Sequence, residues 1–529
     1  MSSAAKVVTT KMSASVASAT AAAAEAFAAN APKTVTAIPS MVRYGPIPLS
    51  DLADENGRTP GAAIRQIGSS RRIFLLNPTL TGAEMDGLAA RIQLLGKNTS
   101  LSSILLANNL ERDCDVDATL PTSALEMEHI AEGDRDMFME EVLNLGSEQE
   151  WITASGYDVR DVPQMEQDHR RRMLNSMTKL AKAVKGSKFS TLNKTQEYVT
   201  KIPFISAPHG LISDGGYALA MGSYVLATSE SRFRIMNPLR GLSLDPIGLS
   251  YILPRLGWEF QQPSASYPVG SILALTGYEA DASDMVETGL ATHFIDSVGK
   301  LGSVERALSN LAPYEQQKLI REPFKRYGET GENSFKGDIN SKFRNAAVAS
   351  LMHSVSAYDA MGQETTAARD EARFLADEDP SLVLEADRAS FFGDRESMLL
   401  NIAATFQDAF EKEKSVEGIM ERMREHASAH ASNEEETEFV NAAKNILDDM
   451  EAQSPLALSA THKLMLIGKE ATESLESCME REKKVLLKLF DKKDFKNWAK
   501  SGAKEGSFKD WTHKSVKEVT RDEIEELFK

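Results

Sequence analysis

The stretch "HGLISDGGYALAMGSYVLATSESRFRIMN", residues 209–237, decides the fold of this chain. It continues from "IPFISAPHG" (202–210), an apolar segment that has the composition of a buried strand and ends at a glycine. Upstream, "RRIFLLN" (71–77) and "SSILLANN" (102–109) predict strands, and "GAEMDGLAARIQLL" (82–95) between them has the spacing of a helix. Strands that alternate with helices across short connections predict a layered α/β unit.

The composition is that of a globular protein and signals neither a metal site nor a disulfide framework. Of the 529 residues, 42% are hydrophobic and 26% are charged, and the net charge is -17. That acidity argues against a protein that coats itself in nucleic acid. The two cysteines, Cys114 and Cys478, show no CxxC or Cys/His spacing and predict a reducing compartment. No window approaches the length of about 18 strongly apolar residues that a membrane span needs, so none is predicted.

Residues 1–66 are interpreted as an N-terminal extension. The first part, 1–30, is rich in Ser, Thr and Ala, carries Lys6 and Lys11, and contains no acid before Glu25. This composition fits a mitochondrial transit peptide and predicts a protein of the mitochondrial matrix. A disordered Ala/Ser tail is the alternative, because the segment has no arginine.

A basic segment lies within residues 111–200, which are interpreted as an insertion into the α/β core. Residues 169–196 contain no acid, and Lys182 and Lys185 follow Lys179 at intervals of three, so these lysines share a helix face. Such a segment suits phosphate, and a solvated basic helix that pairs with acidic neighbours is the alternative. The predicted RNA-contact residues are Arg170, Arg171, Arg172, Lys179, Lys182, Lys185 and Lys188.

Beyond about residue 305 the chain is helical and charged. Apolar residues at intervals of three and four predict helices in "LLNIAATFQDAF" (399–410), "VEGIMERMREHA" (416–427) and "FVNAAKNILDDM" (439–450). A polar stretch at 326–338 marks a linker. The predicted organisation is therefore an extension (1–66), an α/β core (67–305) and a helical C-terminal region (306–529).

Several segments resemble the crotonase (enoyl-CoA hydratase/isomerase) superfamily and, within it, the 3-hydroxyisobutyryl-CoA hydrolase branch. Residues 209–237 are similar to the family's H-G-x-x-x-G-G-G turn, its small-residue helix and the strand that leads to a catalytic M-P-E. "YILPRLG" (251–257) and "LALTGYEADASDMVETGLATHFIDS" (273–297) resemble the downstream segments of the branch, and "SPLALSATHKLM" (454–465) and "CMEREKKVLLKLFDKKDF" (478–495) resemble its C-terminal helices. The resemblance implies a crotonase-type spiral of ββα units with a mostly helical C-terminal region.

The resemblance also implies a thioester site, and parts of that site are missing here. Two backbone N–H groups must hold the developing oxyanion, and one comes from the Gly-rich turn, which reads Asp214-Gly215-Gly216. The loop that supplies the other donor contains no glycine. On the coenzyme A side, the phosphate-binding turn lacks its basic residue, and Arg71 and Arg72 just upstream are a weak substitute.

The glutamate of M-P-E is missing as well. Aligned without a gap, its position is Pro238; a one-residue slip restores the family's Asp as Asp245 and places Asn237 or Pro238 at the glutamate. Without a carboxylate as acid, base or nucleophile, the rate falls by orders of magnitude. Asp245 is either a vestigial acid or the N-cap of the helix after Pro246, with the cap favoured. His209 is interpreted as a packed turn histidine.

Two functions follow from the resemblance. In the first, the chain is a pseudoenzyme with no catalytic residue, metal or cofactor, and with vestigial positions at Gly215, Gly216, Asn237, Pro238 and Asp245. Mitochondrial small ribosomal subunits of some eukaryotic lineages contain a protein that resembles 3-hydroxyisobutyryl-CoA hydrolase, which implies mitochondrial ribosomal proteins and limited rRNA contact as partners. In the second, the chain is an active hydrolase of a coenzyme A thioester in valine breakdown. The sequence leaves the homo-oligomeric state open.

Overall fold

Two β-sheets and a layer of C-terminal helices organise this protein, which is described here by a computed structural model. The described residues are 61–77, 79–98, 100–108, 152–154, 156–185, 202–256, 268–295, 298–311, 358–359, 397–430, 434–502 and 506–529. All of them fall within the unit Tyr44–Lys529. Among these residues, no helix has the length and apolar content that a bilayer crossing requires.

The strands form one large and one small sheet. They are β1 (Ala62–Ile67), β2 (Ser70–Leu75), β3 (Ser103–Asn108), β4 (Ile152–Ala154), β5 (Phe204–Ala207), β6 (Leu211–Ser213), β7 (Tyr224–Thr228), β8 (Arg232–Arg234), β9 (His293–Ile295) and β10 (Tyr358–Asp359). The described strands of the large sheet have the order β1-β2-β3-β5-β7-β9-β10, and those of the small sheet the order β4-β6-β8. Neighbours are parallel except for β1 with β2 and β9 with β10, at the two edges of the large sheet.

The helices follow the strands and dominate the second half of the chain. They are α1 (Gly82–Lys97), α2 (Gln167–Val184), α3 (Leu249–Ile252), α4 (Val269–Thr276), α5 (Ala282–Glu287), α6 (Val298–Asn310), α7 (Met398–Thr405), α8 (Gln407–Lys412), α9 (Val416–Ala427), α10 (Glu434–Glu451), α11 (Pro455–Gly468), α12 (Leu475–Leu489), α13 (Lys493–Ser501) and α14 (Arg521–Phe528). Short 3₁₀ helices span Val159–Gln164, Asp214–Ala220, Asn237–Arg240, Leu253–Arg255 and Val516–Glu518.

The same ββα order occurs three times in the core. Strand β3 of the large sheet is followed by β4 of the small sheet and by α2; β5 is followed by β6 and the 3₁₀ helix Asp214–Ala220. Strand β7 is then followed by β8 and the 3₁₀ helix Asn237–Arg240. The predicted crotonase-type spiral with a mostly helical C-terminal region is confirmed.

Alternate residues of each strand pack on opposite faces of the large sheet. In β3, Ile104 and Leu106 belong to the main hydrophobic core, whereas Leu105 packs in a second cluster with Leu301 and Val304 of α6. Both faces are therefore covered. This explains why the central parallel strands have continuous apolar sequences instead of alternating ones.

Three predicted boundaries shift in the structure. Strand β1 pairs with β2, so the segment predicted as an extension (1–66) already contains a strand of the sheet. The predicted insertion (111–200) contains elements of the fold, because β4 pairs with β6 and α2 packs in the main core. Residues 109–151, 155, 186–201 and the linker at 326–338 lie outside the described residues. The C-terminal helices share the main core with the sheets, so position 305/306 divides two regions of one core.

Candidate functional site

The candidate site is the turn between β8 and α3, which holds the positions of the missing glutamate. Its 3₁₀ helix, Asn237–Arg240, carries Pro238 in its first turn and ends at Gly241, whose φ of 79° is in the left-handed region. A Cβ on Gly241 would lie 2.9 Å from the backbone nitrogen of Phe495 in α13. Only glycine combines this backbone conformation with such a close approach.

Asp214, which replaces a family glycine, uses its carboxylate to cap this 3₁₀ helix. Its Oδ1 accepts hydrogen bonds from the backbone nitrogens of Met236 (2.8 Å) and Asn237 (3.0 Å), which a helix start leaves unpaired. Its Oδ2 lies 3.0 Å from a guanidinium nitrogen of Arg240, and both side chains are buried. The φ of Asp214 is 45°, which is in the left-handed region that glycine favours. Its charge is paired with that of Arg240.

Asp245 binds the N–H group that a thioester oxyanion would need. The backbone nitrogen of Gly215 donates to its Oδ2 at 2.8 Å, and the Tyr157 hydroxyl donates to its Oδ1 at 3.0 Å. The favoured prediction that Asp245 caps the next helix is wrong, because both of its oxygens serve the site. The position before α3 is instead occupied by Gly248, without a side-chain cap.

The electrostatics of the site are those of buried carboxylates with one cation. Burial, reinforced by the charge of Asp214, raises the pKa of Asp245 to about 7, although hydrogen bonds from Tyr157 and Gly215 act in the opposite direction. Burial and the neighbouring Asp245 raise the pKa of the Tyr157 hydroxyl well above its ordinary value. The folded protein therefore holds the proton of Asp245 more tightly than water-exposed aspartic acid would hold it.

A third buried carboxylate, Glu482 of α12, holds the far end of the turn. Its two oxygens accept hydrogen bonds from the backbone nitrogens of Gly248 and Ser250, each at 2.7 Å. Burial raises its pKa to about 8, and the charge of Asp245 acts in the same direction. Glu482 thus ties the C-terminal helices to the candidate site through backbone contacts.

The space beside Gly215 is filled by Met177 of α2. A Cβ placed on Gly215 would lie 2.6 Å from Met177 Cε and 3.0 Å from Asp245 Oδ2. The cavity that remains has a volume of about 10 Å³, which is at the lower limit for a single water molecule. Its lining residues are Leu80, Met85, Gly156, Met177, Leu180, Gly215 and Leu219. The described residues therefore leave no room at this donor for an acyl thioester.

Asn237 and Pro238, the two candidate positions of the glutamate, serve the turn itself. Asn237 is fully buried, and its Nδ2 donates to the carbonyl of Ser243 at 2.9 Å. The carbonyl of Pro238 accepts a hydrogen bond from the backbone nitrogen of Ser454 at 3.1 Å. The vestigial positions Gly215, Gly216, Asn237, Pro238 and Asp245 are all buried, and hydrogen bonds join Gly215 and Asn237 to Asp245. Asp245 is the one carboxylate among them.

The other sequence-predicted polar residues divide into buried and exposed ones. Arg170 is buried, donating to the carbonyl of Val162 and to Asp491, each at 3.0 Å, so its assignment as an RNA contact is wrong. Lys185 pairs with Glu476, and its side chain is only 8% exposed. Arg171, Arg172, Lys179 and Lys182 reach solvent, and Lys188 lies outside the described residues.

Arg72 and His209 are also part of the packing. Arg72 forms a buried ion pair with Glu305 of α6, so it is not a substitute phosphate ligand. His209 is buried, and its Nδ1 lies 3.0 Å from Thr228 Oγ1. The interpretation of His209 as a packed histidine is confirmed. Among the described residues, no group of three His, Cys, Asp or Glu side chains is placed to hold a metal ion.

Sequence reasoning missed four residues that shape the site: Tyr157, Met177, Arg240 and Glu482. Met177 had a readable signal, because it lies on the face of α2 that Met173, Leu174, Leu180 and Ala181 also bury at helical spacing. Tyr157 was assigned to an insertion, and Glu482 lies over 230 positions from Gly248. No local pattern reports such distant pairs.

Comparison with known proteins places this geometry in a family. The sequence model of the family described as enoyl-CoA hydratase/isomerase matches residues 131–384 and 376–528. The chain belongs to the enoyl-CoA hydratase/isomerase family. A carnitinyl-CoA dehydratase from Mycobacterium thermoresistibile has the same fold, with a TM-score of 0.54, 16% identity and coverage of 89% of this chain and 96% of that one.

Individual relatives match a shorter stretch. The mitochondrial 3-hydroxyisobutyryl-CoA hydrolase of Gallus gallus is 35% identical over 120 residues, which is 22% of this chain and 28% of the relative. The mitochondrial enzyme of that name from Homo sapiens is 35% identical over 118 residues, with 22% and 28% coverage. The chain therefore matches less than a third of the length of these relatives. The match supports its place in the hydrolase-like branch of the family.

Proposed function

We propose that this chain is a catalytically silent, 3-hydroxyisobutyryl-CoA hydrolase-like protein that serves as a structural component of the mitochondrial small ribosomal subunit. The observation that carries the loss of catalysis is the 2.8 Å hydrogen bond from Gly215 N–H to Asp245. A donor that is committed to an internal carboxylate is not available to a developing oxyanion. Met177 occupies the adjacent space.

Charge opposes catalysis as well. Above about pH 7, where Asp245 is ionised, a thioester oxyanion at Gly215 N–H would develop beside its carboxylate, and two negative charges in a buried site repel each other. Arg240, the one cation that the described residues bring to the cluster, is already paired with Asp214. The turn has no glutamate at Asn237 or Pro238, so it lacks the group that would transfer a proton or attack the thioester.

The mitochondrial and structural parts of the proposal have separate support. The relatives from Gallus gallus and Homo sapiens are mitochondrial by name, and the composition of residues 1–30 suits import. A structural component needs the fold that presents its surface but does not need catalytic residues. A retained fold without the glutamate supports such a role. Exposed cations on α2 give that surface a place for limited rRNA contact.

An active hydrolase that cleaves 3-hydroxyisobutyryl-CoA to 3-hydroxyisobutyrate and coenzyme A is the second candidate. It is favoured by Asp245, a buried acid with a pKa raised to about 7 and a hydrogen bond to Tyr157. That pKa suits proton transfer near neutral pH. This function requires Met177 and Asp245 to leave Gly215 when substrate binds.

A thioester assay separates the two candidates. Purified full-length protein is mixed with 3-hydroxyisobutyryl-CoA, and release of the coenzyme A thiol is followed with Asp245→Asn as the paired variant. We expect no release above the buffer rate for either protein. Turnover by the wild type that Asp245→Asn abolishes would establish the second candidate and overturn the first.

Sedimentation tests the assembly. Mitochondrial lysate is separated on a sucrose gradient, and the chain is followed by immunoblot beside small-subunit rRNA. We expect the chain to sediment with the small subunit and to stay with the small-subunit rRNA when EDTA separates the two subunits. A chain found only in the soluble fractions before EDTA treatment would refute the ribosomal role.

A further inference from the structure

We propose that a groove between α1, α2 and α12 binds the phosphodiester backbone of a nucleic acid strand. This inference rests on the proposed function and names the surface that would face rRNA. The groove has a volume of about 350 Å³, and three cations of α2 line it: Arg172, Lys179 and Lys182. We call this surface the α2 groove.

The cations of the α2 groove are only partly neutralised. Two carboxylates also line it, and each is paired already: Asp86 with Lys179 at 3.0 Å, and Glu480 with Lys483 at 2.5 Å. Among the described residues, no carboxylate lies within 4.0 Å of a side-chain nitrogen of Arg172 or Lys182. The lining therefore holds three cations against two carboxylates, and Glu476, which pairs with Lys185, acts on Lys182 only from beyond 4.0 Å. This small positive excess lies on a chain whose net charge is -17.

Neutral donors complete the groove. Asn175 lies between Arg172 and Lys179 on the same face of α2, and its Oδ1 accepts a hydrogen bond from Lys483 at 3.0 Å. This contact orients the amide so that its nitrogen is the atom that donates to a phosphate oxygen. Cations next to amide donors are the usual phosphate-contacting groups of nucleic acid interfaces.

The spacing of the cations fits a strand better than a single phosphate. Arg172 and Lys182 are about ten residues apart on one helix, which corresponds to roughly 15 Å. Along the axis of a double helix one strand advances about 3.4 Å per phosphate, so this length corresponds to roughly four phosphates of one strand of a helical nucleic acid. A lone phosphate needs cations that converge on one point, whereas these cations form a line. The α2 groove thus suits a backbone and not a mononucleotide.

Fluorescence anisotropy tests this inference directly. The full chain is titrated into a fluorescein-labelled 12-nucleotide RNA at 50 and 200 mM salt, with the combined variant Arg172→Gln, Lys179→Gln, Lys182→Gln beside it. Three phosphate contacts predict a salt slope of about 2 in log K against log salt, so wild-type affinity falls roughly 20-fold between the two salt concentrations. In the combined variant we expect that slope to disappear. Lys182→Gln alone, which breaks no ion pair among the described residues, should lower the slope by about 0.7.

A matched control removes the same charge elsewhere. The combination Arg424→Gln, Lys514→Gln, Lys517→Gln changes the net charge equally, and it removes exposed cations of α9 and of the segment before α14. We expect this control to bind RNA within twofold of the wild type. Equal losses in the two combined variants would overturn the inference, because net charge alone would then explain binding.

Competition identifies the class of ligand. Unlabelled RNA is compared with adenosine monophosphate at the same phosphate concentration and with polyglutamate at the same charge. Displacement by RNA alone supports a strand-binding groove, and equal displacement by polyglutamate or the mononucleotide overturns it. The outcomes are separable from those of the proposed function. A chain that sediments with the small subunit but does not bind RNA loses only this inference.

Discussion

Replacing Asp245 with Asn should make the free energy of unfolding less sensitive to rising pH. Both oxygens of Asp245 accept hydrogen bonds, from Gly215 N–H and from the Tyr157 hydroxyl. Asparagine preserves this arrangement, because its Oδ1 accepts from Gly215 and its Nδ2 donates to the oxygen of Tyr157. The substitution therefore removes an ionisable group while it retains the shape of the site.

The sign and size of the effect follow from the pKa of Asp245. The pKa rises from 3.8 in the unfolded chain to about 7 in the folded one. Between these values the folded chain holds a proton that the unfolded chain has lost, so the free energy of unfolding falls as pH rises. The full difference is about 4 kcal/mol at roughly 1.4 kcal/mol per pKa unit. Between pH 5 and pH 8, the free energy of unfolding of Asp245→Asn should rise by about 3 kcal/mol relative to that of the wild type.

Urea denaturation followed by far-UV circular dichroism at pH 5, 6, 7 and 8 measures this change. The control is Asp168→Asn at the start of α2, whose side chain is 83% exposed, and its curves should run parallel to those of the wild type. Glu482 titrates in the same direction, so the wild type retains a slope that Asp245→Asn reduces but does not remove. Parallel pH dependences for Asp245→Asn and the wild type would refute the assignment of Asp245 as a buried acid.

Two further substitutions test the packing and the charge of the site. Met177→Ala should lower the free energy of unfolding by about 2 to 4 kcal/mol, since it opens a cavity beside Gly215. Met398→Ala, at a side chain that is 62% exposed, should change it by less than about 0.5 kcal/mol; equal losses in urea denaturation would contradict the role of Met177. Arg240→Met should lower the free energy of unfolding by about 3 to 5 kcal/mol, because it leaves the buried charge of Asp214 without its ion-pair partner. Adding Asp214→Asn should restore most of that loss, because asparagine keeps the oxygen that accepts from Met236 and Asn237 but carries no charge. A double variant no more stable than Arg240→Met alone would contradict the stranded charge as the cause.

The sequence predicts the spiral better than it predicts the site. Strands such as Phe204–Ala207 and helices such as Gly82–Lys97 have local signals: a buried apolar run in one case, and in the other a capping box between Thr81 and Glu84. The absence of a glutamate at Asn237 and Pro238 is also visible in the sequence. The side chains that fill the site instead of a glutamate are determined by tertiary contacts.

Asp245 shows why the rest was not predictable. Its partners Gly215 and Tyr157 lie 30 and 88 positions away, and no periodicity links residues that far apart. A nearer signal was available for Arg170. It shares a helix face with Met173, Leu174 and Met177, all of which are buried, so helical periodicity separates it from the exposed Arg171 and Arg172. The position of Arg170 on the helix thus places it in the core, although the next two arginines are exposed.

The hydrogen bonds from the C-terminal helices to the turn determine when the turn can fold during translation. Glu482 holds the backbone of Gly248 and Ser250, and Ser454 holds Pro238, so contacts more than 200 residues distant complete the turn. Domains fold as they emerge during translation, and segments that lack their partners stay exposed. Until α11 and α12 have been made, the backbone nitrogens of Gly248 and Ser250 and the carbonyl of Pro238 lack these partners. A chain cut short before residue 454 would lack all three contacts, so we expect this turn to be among the last parts of a nascent chain to become ordered.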